Sequence, residues 1–426
     1  MDATTDYIAD FSAFLQAAPS SYHAAAEVAR RLDAAGFTRL NESDNWTDAP
    51  AAGHYVVRDG AVIAWSQPAS AGPTTPFRIL GAHTDSPGFK LKPKPTIGTH
   101  GWLQAGVEVY GGPLQNSWLD RELELAGRLV TRAGTEHLVR TGPFLRIPQL
   151  AVHLDREVNN GLTLDRQRHL TPVFGVGAAS EADLVAHLAG LAGLRAADVA
   201  GYDILTADTN PPATFGLDDK LFAAGRLDNL SSVHAGLRAL IATQKQNSGP
   251  ISVLAAFDHE ELGSQSRSGA SGPMLDDILT RIGAGLGATV SDRLQAYAES
   301  WCLSADAGHA VHPNYPERHD PANTPILGGG PLLKINANQR YATDAHGAAL
   351  WARTCDQASV EYQEFVSSNT VPCGSTIGPL TATRLGIRVV DVGVPLLSMH
   401  SARELCHVND PQALSAAVAA FFYPTA

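Results

Sequence analysis

Apolar positions recur at helical spacing twice near the start of the chain. Ile8, Phe11, Phe14, Leu15 and Ala18 share one face, which predicts a helix over 5–18 with Thr4 and Thr5 as candidate caps and Pro19 as its end. A second helix is expected over 22–35, stopped at Gly36, a residue suited to the turn after a helix. Alternation then replaces the helical period, and Tyr55 to Trp65 reads as a hairpin turning at Asp59-Gly60. Two further apolar runs, Phe77 to Ala82 and Ile251 to Phe257, read as strands, the second as a buried parallel one. Arg388 to Val394 is a β-branched strand, and the alanine-rich C-terminal stretch is a core helix. Leu230, Val233, Leu237, Leu240 and Ile241 form the apolar face of another helix, behind Arg226-Leu-Asp228-Asn229.

Between these α/β segments the pattern changes. Leu91-Lys-Pro-Lys-Pro95 reads as an extended, solvated linker, and short alternating segments follow at Val107–Gly112, Glu122–Thr131 and Leu138–Thr141, separated by glycines and prolines. An alanine- and leucine-rich helical stretch over 181–200 and a strand from Tyr202 to Ala207 complete this region. The expected organisation is a catalytic α/β domain with a mixed sheet (residues 1–90 and 223–426) into which a β-rich domain (91–222) is inserted.

Composition narrows the function. The 426 residues carry 31 Lys+Arg against 43 Asp+Glu, a net charge of −12, which disfavours nucleic acid and anionic membranes as partners. No apolar run approaches the roughly 20 residues of a membrane span, and the acidic N-terminus lacks the layout of a signal peptide. The four cysteines, Cys302, Cys355, Cys373 and Cys406, are scattered, as in reduced proteins. A cytoplasmic protein is expected.

The chemistry gathers where strands end. Ile251–Phe257 runs into Asp258-His259-Glu260-Glu261, and open α/β sheets place ligands beyond the carboxyl ends of their strands. If the chain stays extended there, Glu260 and Glu261 point to opposite sides, one for a cation and one for a proton. The strand from Phe77 delivers His83, with Asp85 two positions on and able to accept from its far ring nitrogen. Asp228 stands at a helix start, where it could simply cap; Asp306 and His400 follow other apolar segments. Two histidines and three carboxylates can hold two Zn²⁺ ions about 3.5–4 Å apart with one carboxylate bridging. Glu260, beside a ligand but not needed as one, is the natural general base.

These motifs, taken with Tyr110-Gly-Gly112, Trp118-Leu-Asp120-Arg121, Ser304-Ala-Asp306, Lys334-Ile-Asn, Asn338-Gln-Arg340-Tyr341, Pro372-Cys-Gly-Ser-Thr376 and Met399-His400-Ser401, resemble the aspartyl aminopeptidases in order and context over almost the whole chain. The resemblance implies a metallo-exopeptidase with two zinc ions per subunit, for which Mn²⁺ or Co²⁺ could substitute. It assigns His83 and Asp306 to one ion, Glu261 and His400 to the other, and Asp228 to both, with Asp85 orienting His83 and Glu260 as base. It further implies peptide substrates with a free, acidic N-terminal residue, bound through Lys334 with Tyr341 beside it. The β-rich insert would mediate dimerisation, dimers would assemble into a tetrahedral dodecamer, and His153 would reach a neighbouring subunit's site. Gln149 stands where some members carry another histidine. A broad aminopeptidase or an amide deacylase on the same scaffold would dispense with the basic pocket, and a non-catalytic assembly protein would have lost the base or a ligand.

Overall fold

The two apolar runs ending in ionisable residues lie side by side. In the computed structural model, which describes residues 3–46, 52–244 and 246–425, Ile251–Phe257 pairs in parallel with Phe77–His83, Phe257 opposite His83. Every residue of Ile251–Phe257 is buried, as a strand covered on both faces requires. The pair forms the middle of a nine-stranded sheet that continues through Trp301–Ala305 to Arg388–Gly393, and these four strands are mutually parallel. Antiparallel partners flank them, Ala61–Ser66 on one side and Leu332–Lys334 on the other, so the sheet is mixed. Successive side chains point to opposite faces. Leu80 and Leu254 meet helices Ala3–Ala17, Ser21–Ala34, Leu227–Thr243, Ala345–Ala358 and Asn409–Phe422, while Ile79 and Val253 meet Met274–Gly285, Val290–Glu299 and Ile377–Leu385.

Close helix-to-sheet packing requires Gly236, where an added methyl would overlap Leu80 and Leu254. Both leucines are fully buried, so their side chains must repack to admit it. Gly236→Ala is expected to lower stability by about 1–3 kcal/mol, read as a reduced midpoint in urea unfolding with an unchanged slope.

The first helix begins at Ala3, so Thr4 and Thr5 lie inside its first turn. The second is capped by Ser20 and ends before Gly36, whose φ is +87°. The hairpin Gly53–Arg58 and Ala61–Ser66 turns at Asp59.

Strands between residues 88 and 208 build a separate six-stranded antiparallel sheet with its own core around Phe89, Leu125, Leu129 and Ile204. The segment Leu91–Pro95, expected as a linker, lies within strand Gly88–Thr99 instead. Its two prolines cannot donate to the ladder, and the pairing with Trp102–Tyr110 breaks between Leu91 and Thr96 to accommodate them. The expected helical stretch over 181–200 shrinks to Leu184–Leu191, because Gly193 turns with φ +70° and a strand starts at Val199. Strand Leu221–Ala224 leaves this sheet and pairs with Glu404–His407. No helix among the described residues is long and apolar enough to cross a membrane.

Candidate metal centre

The parallel strands finish at one edge of the large sheet, and the segments leaving them converge. His83 is the last residue of its strand and is buried. Its Nδ1 lies 3.0 Å from the backbone carbonyl oxygen of Asp85 and 3.4 Å from the Asp85 carboxylate, which leaves Nε2 free to face the site. His400 is oriented the same way by the carbonyl of Gly112, 2.9 Å from its Nδ1. A backbone carbonyl behind the ring is a common partner of a metal-binding histidine.

The Asp85 carboxylate has closer partners than His83. It accepts from Tyr110 Oη at 2.9 Å and from the backbone N–H groups of Glu260 and Glu261 at 3.0 and 3.2 Å. Glu260 and Glu261 therefore do not continue an extended chain. Past His259, whose φ is +63°, they open the short 3₁₀ turn Glu260–Leu262, with Asp85 satisfying the N–H groups at its start.

Asp228 does not act as a cap. The helix Leu227–Thr243 has no side-chain cap bond, and φ −80°, ψ 106° hold Asp228 outside helical geometry. Its carboxylate lies between the two imidazoles: Oδ1 is 3.3 Å from His83 Nε2 and Oδ2 is 3.4 Å from His400 Nε2. His83 Nε2 is also 3.5 Å from Asp306 Oδ1, and His400 Nε2 is 3.4 Å from Glu261 Oε2. Two groups of donors thus share Asp228. Zinc–ligand bonds of roughly 2.0–2.1 Å in a tetrahedron put ligand atoms ~3.3–3.4 Å apart, which these separations match. Asp228 Oδ1 and Glu261 Oε1 are moreover buried with no hydrogen-bond donor, although buried polar atoms normally find one. The residues fit a divalent cation.

Glu260 stands beside the His83 group, with Oε2 4.0 Å from His83 Nε2. Burial, reinforced by Asp306 and Asp228 and opposed by His83, pushes its carboxyl up to about 7. Burial and then Asp228 raise Glu261 well above the usual carboxylate range. Asp228 moves the other way: burial opposes its charge, but His400 and His83 outweigh that and hold it well below the ordinary value. Burial works against the charged form of His400, yet Asp228 and Glu261 carry it up to about 10.

The centre opens into a cleft of about 850 Å³. Lys334 and Tyr341 are on its wall, both buried. Lys334 Nζ donates to the carbonyl of Ala307 at 2.8 Å, lies 3.8 Å from Asp306 Oδ2, and sits 5.2 Å from the centre of the Tyr341 ring. His309 and His319, which the sequence places outside the ligand set, also line the cleft. His153 does not; it is exposed on the long connection before strand Val173–Val176. Sequence reasoning assigns no role to Tyr110, to the Gly112 carbonyl or to Glu404, which receives the backbone N–H groups of Asp228 and His400. Only the Tyr110-Gly-Gly112 motif points near them.

A parallel-sheet edge carrying paired imidazole–carboxylate groups defines a metal-dependent α/β enzyme. Residues 14–422 match the family described as aminopeptidase I zinc metalloprotease (M18). A probable M18 family aminopeptidase 2 of Streptomyces coelicolor is 53% identical over 420 residues, 97% of each chain. A chain in the cryo-EM structure of the Ape4 and Nbr1 complex superimposes with a TM-score of 0.95 at 34% identity, covering 98% of this chain and 86% of that one. The S. cerevisiae mApe1 dodecamer gives 0.86 at 27% identity, covering 98% and 97%. The chain belongs to the M18 zinc aminopeptidases, the aspartyl aminopeptidase family its motifs resemble.

Proposed function

We propose that this protein is a two-zinc aminopeptidase that removes Asp or Glu from the N-terminus of peptides. The observation that carries the reading is the Asp228 carboxylate, one oxygen toward His83, which Asp306 adjoins, and the other toward His400, which Glu261 adjoins. In this reading His83 and Asp306 hold one ion, Glu261 and His400 the second, and Asp228 both. Bound zinc supplies Lewis-acid polarisation of a carbonyl and lowers the pKa of water. Glu260 takes a proton from the attacking water and delivers it to the departing amine. Asp85 keeps Glu260 in place through the backbone of the turn, and Tyr110 keeps Asp85 in place.

Acid selectivity is assigned to Lys334, the cation nearest the donors, with Tyr341 packed against it. Lys334→Ala is expected to raise KM for peptides beginning with Asp or Glu about tenfold or more, the scale of a lost charged hydrogen bond, and to change KM for Ala or Leu peptides little. Equal losses on both would remove this role. A broad aminopeptidase is the second reading, favoured by one observation: Lys334 already donates to Ala307. Release of the first residue from peptides starting with Asp, Glu, Ala, Leu or Lys, with and without chelator, separates the two.

The six-stranded sheet is assigned to dimerisation, the dimers building a tetrahedral dodecamer. Its exposed Trp102 and Val176, directly paired, supply apolar surface for contact. His153, exposed among Leu150, Val152 and Leu154, would then serve a neighbouring subunit's site. Four free cysteines agree with work in the reducing cytoplasm.

A further inference from the structure

Glu404 is buried, 2% exposed, yet makes no ion pair with any cation among the described residues. Its two oxygens are used on backbone instead: Oε2 accepts from Asp228 N–H at 2.9 Å and Oε1 from His400 N–H at 2.7 Å. One carboxylate thereby ties together the first turn of helix Leu227–Thr243 and the loop that precedes strand Glu404–His407. The small antiparallel pairing of Leu221–Ala224 with Glu404–His407, with Ala224 opposite Glu404, brings the two segments within reach of a single side chain.

The two ends of this clamp differ in backbone strain and in exposure. Asp228 has a second tether, its carbonyl accepting from Ser86 Oγ at 2.9 Å. The His400 carbonyl is likewise held, accepting from Leu114 N–H at 2.8 Å, but the residue's φ of +66° lies in the left-handed region that costs a non-glycine residue roughly 1–2 kcal/mol, and its side chain is 31% exposed. Its N–H bond to Glu404 offsets that strain. His83, by contrast, ends a buried strand and is held without Glu404.

We propose that Glu404 is a positioning residue of the metal centre: it fixes the His400 backbone against Asp228 and so selectively supports the ion held by His400 and Glu261. The proposal rests on the two-zinc reading. It is tested by titrating the full-length chain with zinc against a chromophoric chelator, wild type beside Glu404→Gln, whose amide nitrogen faces one N–H donor. Wild type is expected to take two ions. E404Q is expected to keep one at wild-type affinity and to bind the second 10–100-fold more weakly, the usual effect of removing an outer partner of a ligand. A merely structural role would lower the melting temperature of the metal-free protein without splitting the two affinities. Unchanged affinity for both ions, or equal loss of both, overturns the proposal while the two-zinc reading stands. A wild-type chain that takes fewer than two ions overturns that reading, and Glu404's role with it. Should E404Q not fold, Glu404→Asp carries the same expectation, since its shorter arm reaches only one of the two N–H groups.

Discussion

Glu260→Gln is expected to lower kcat by about 10²–10⁴-fold with KM little changed and the zinc content intact. Glutamine fills the same volume and can still hydrogen-bond, but it cannot take up a proton. The surroundings suit the carboxylate to proton transfer, because burial favours its protonated form while neighbouring cations would favour the charged one, and a base must both accept and release a proton. The turn that presents it is fixed through backbone N–H groups bound to Asp85, so the substitution leaves the scaffold untouched. Steady-state kinetics with an Asp-peptide and metal analysis of the same sample check it together. Loss of zinc along with activity would make Glu260 a ligand, and an unchanged kcat would end its assignment as base.

Asp228→Asn is expected to abolish occupancy of at least one ion and to reduce activity on the order of 10³-fold or more, since a catalytic metal contributes several kcal/mol. The asparagine keeps one oxygen and replaces the other with an amide nitrogen, which has no lone pair for a metal. Either His83 or His400 then faces a donor where it had a carboxylate oxygen 3.3 or 3.4 Å away. Chelation of the wild type is expected to reach the same residual activity. Full zinc content in Asp228→Asn would remove Asp228 as the shared ligand.

Local pattern alone makes the parallel strands and the residues at their ends legible. Ile251–Phe257 is continuous and apolar because both its faces are covered; its four ionisable end residues alone also read as a solvated acidic turn, and the other strand ends decide between the two. His83, Asp228, Glu261, Asp306 and His400 stand out because each adjoins an apolar segment. What pattern does not show depends on long-range contact. The partner of Asp85 that matters, the Glu260–Glu261 turn, is 175 positions away, and Glu404 acts on Asp228 across 176. Lys334 is singled out in the sequence by the family resemblance and not by local pattern, because only tertiary packing buries it against Ala307 and Asp306. Leu91–Pro95 reads as a linker because its prolines suppress strand character locally, while the sheet accepts them through a break in the ladder.

The donors are strung along the chain from His83 to His400, and this ordering governs when a newborn molecule acquires them. A ribosome adds roughly 5–20 residues per second, so an interval on the order of tens of seconds separates the emergence of the first histidine from that of the last. The early strand, its aspartate and the six-stranded sheet are synthesised well before the His400 loop exists. A nascent chain therefore carries part of a centre and gains its complete set of donors only once the His400 loop has been made. Until that loop exists, a growing chain cannot act through this centre, whatever finished copies nearby do.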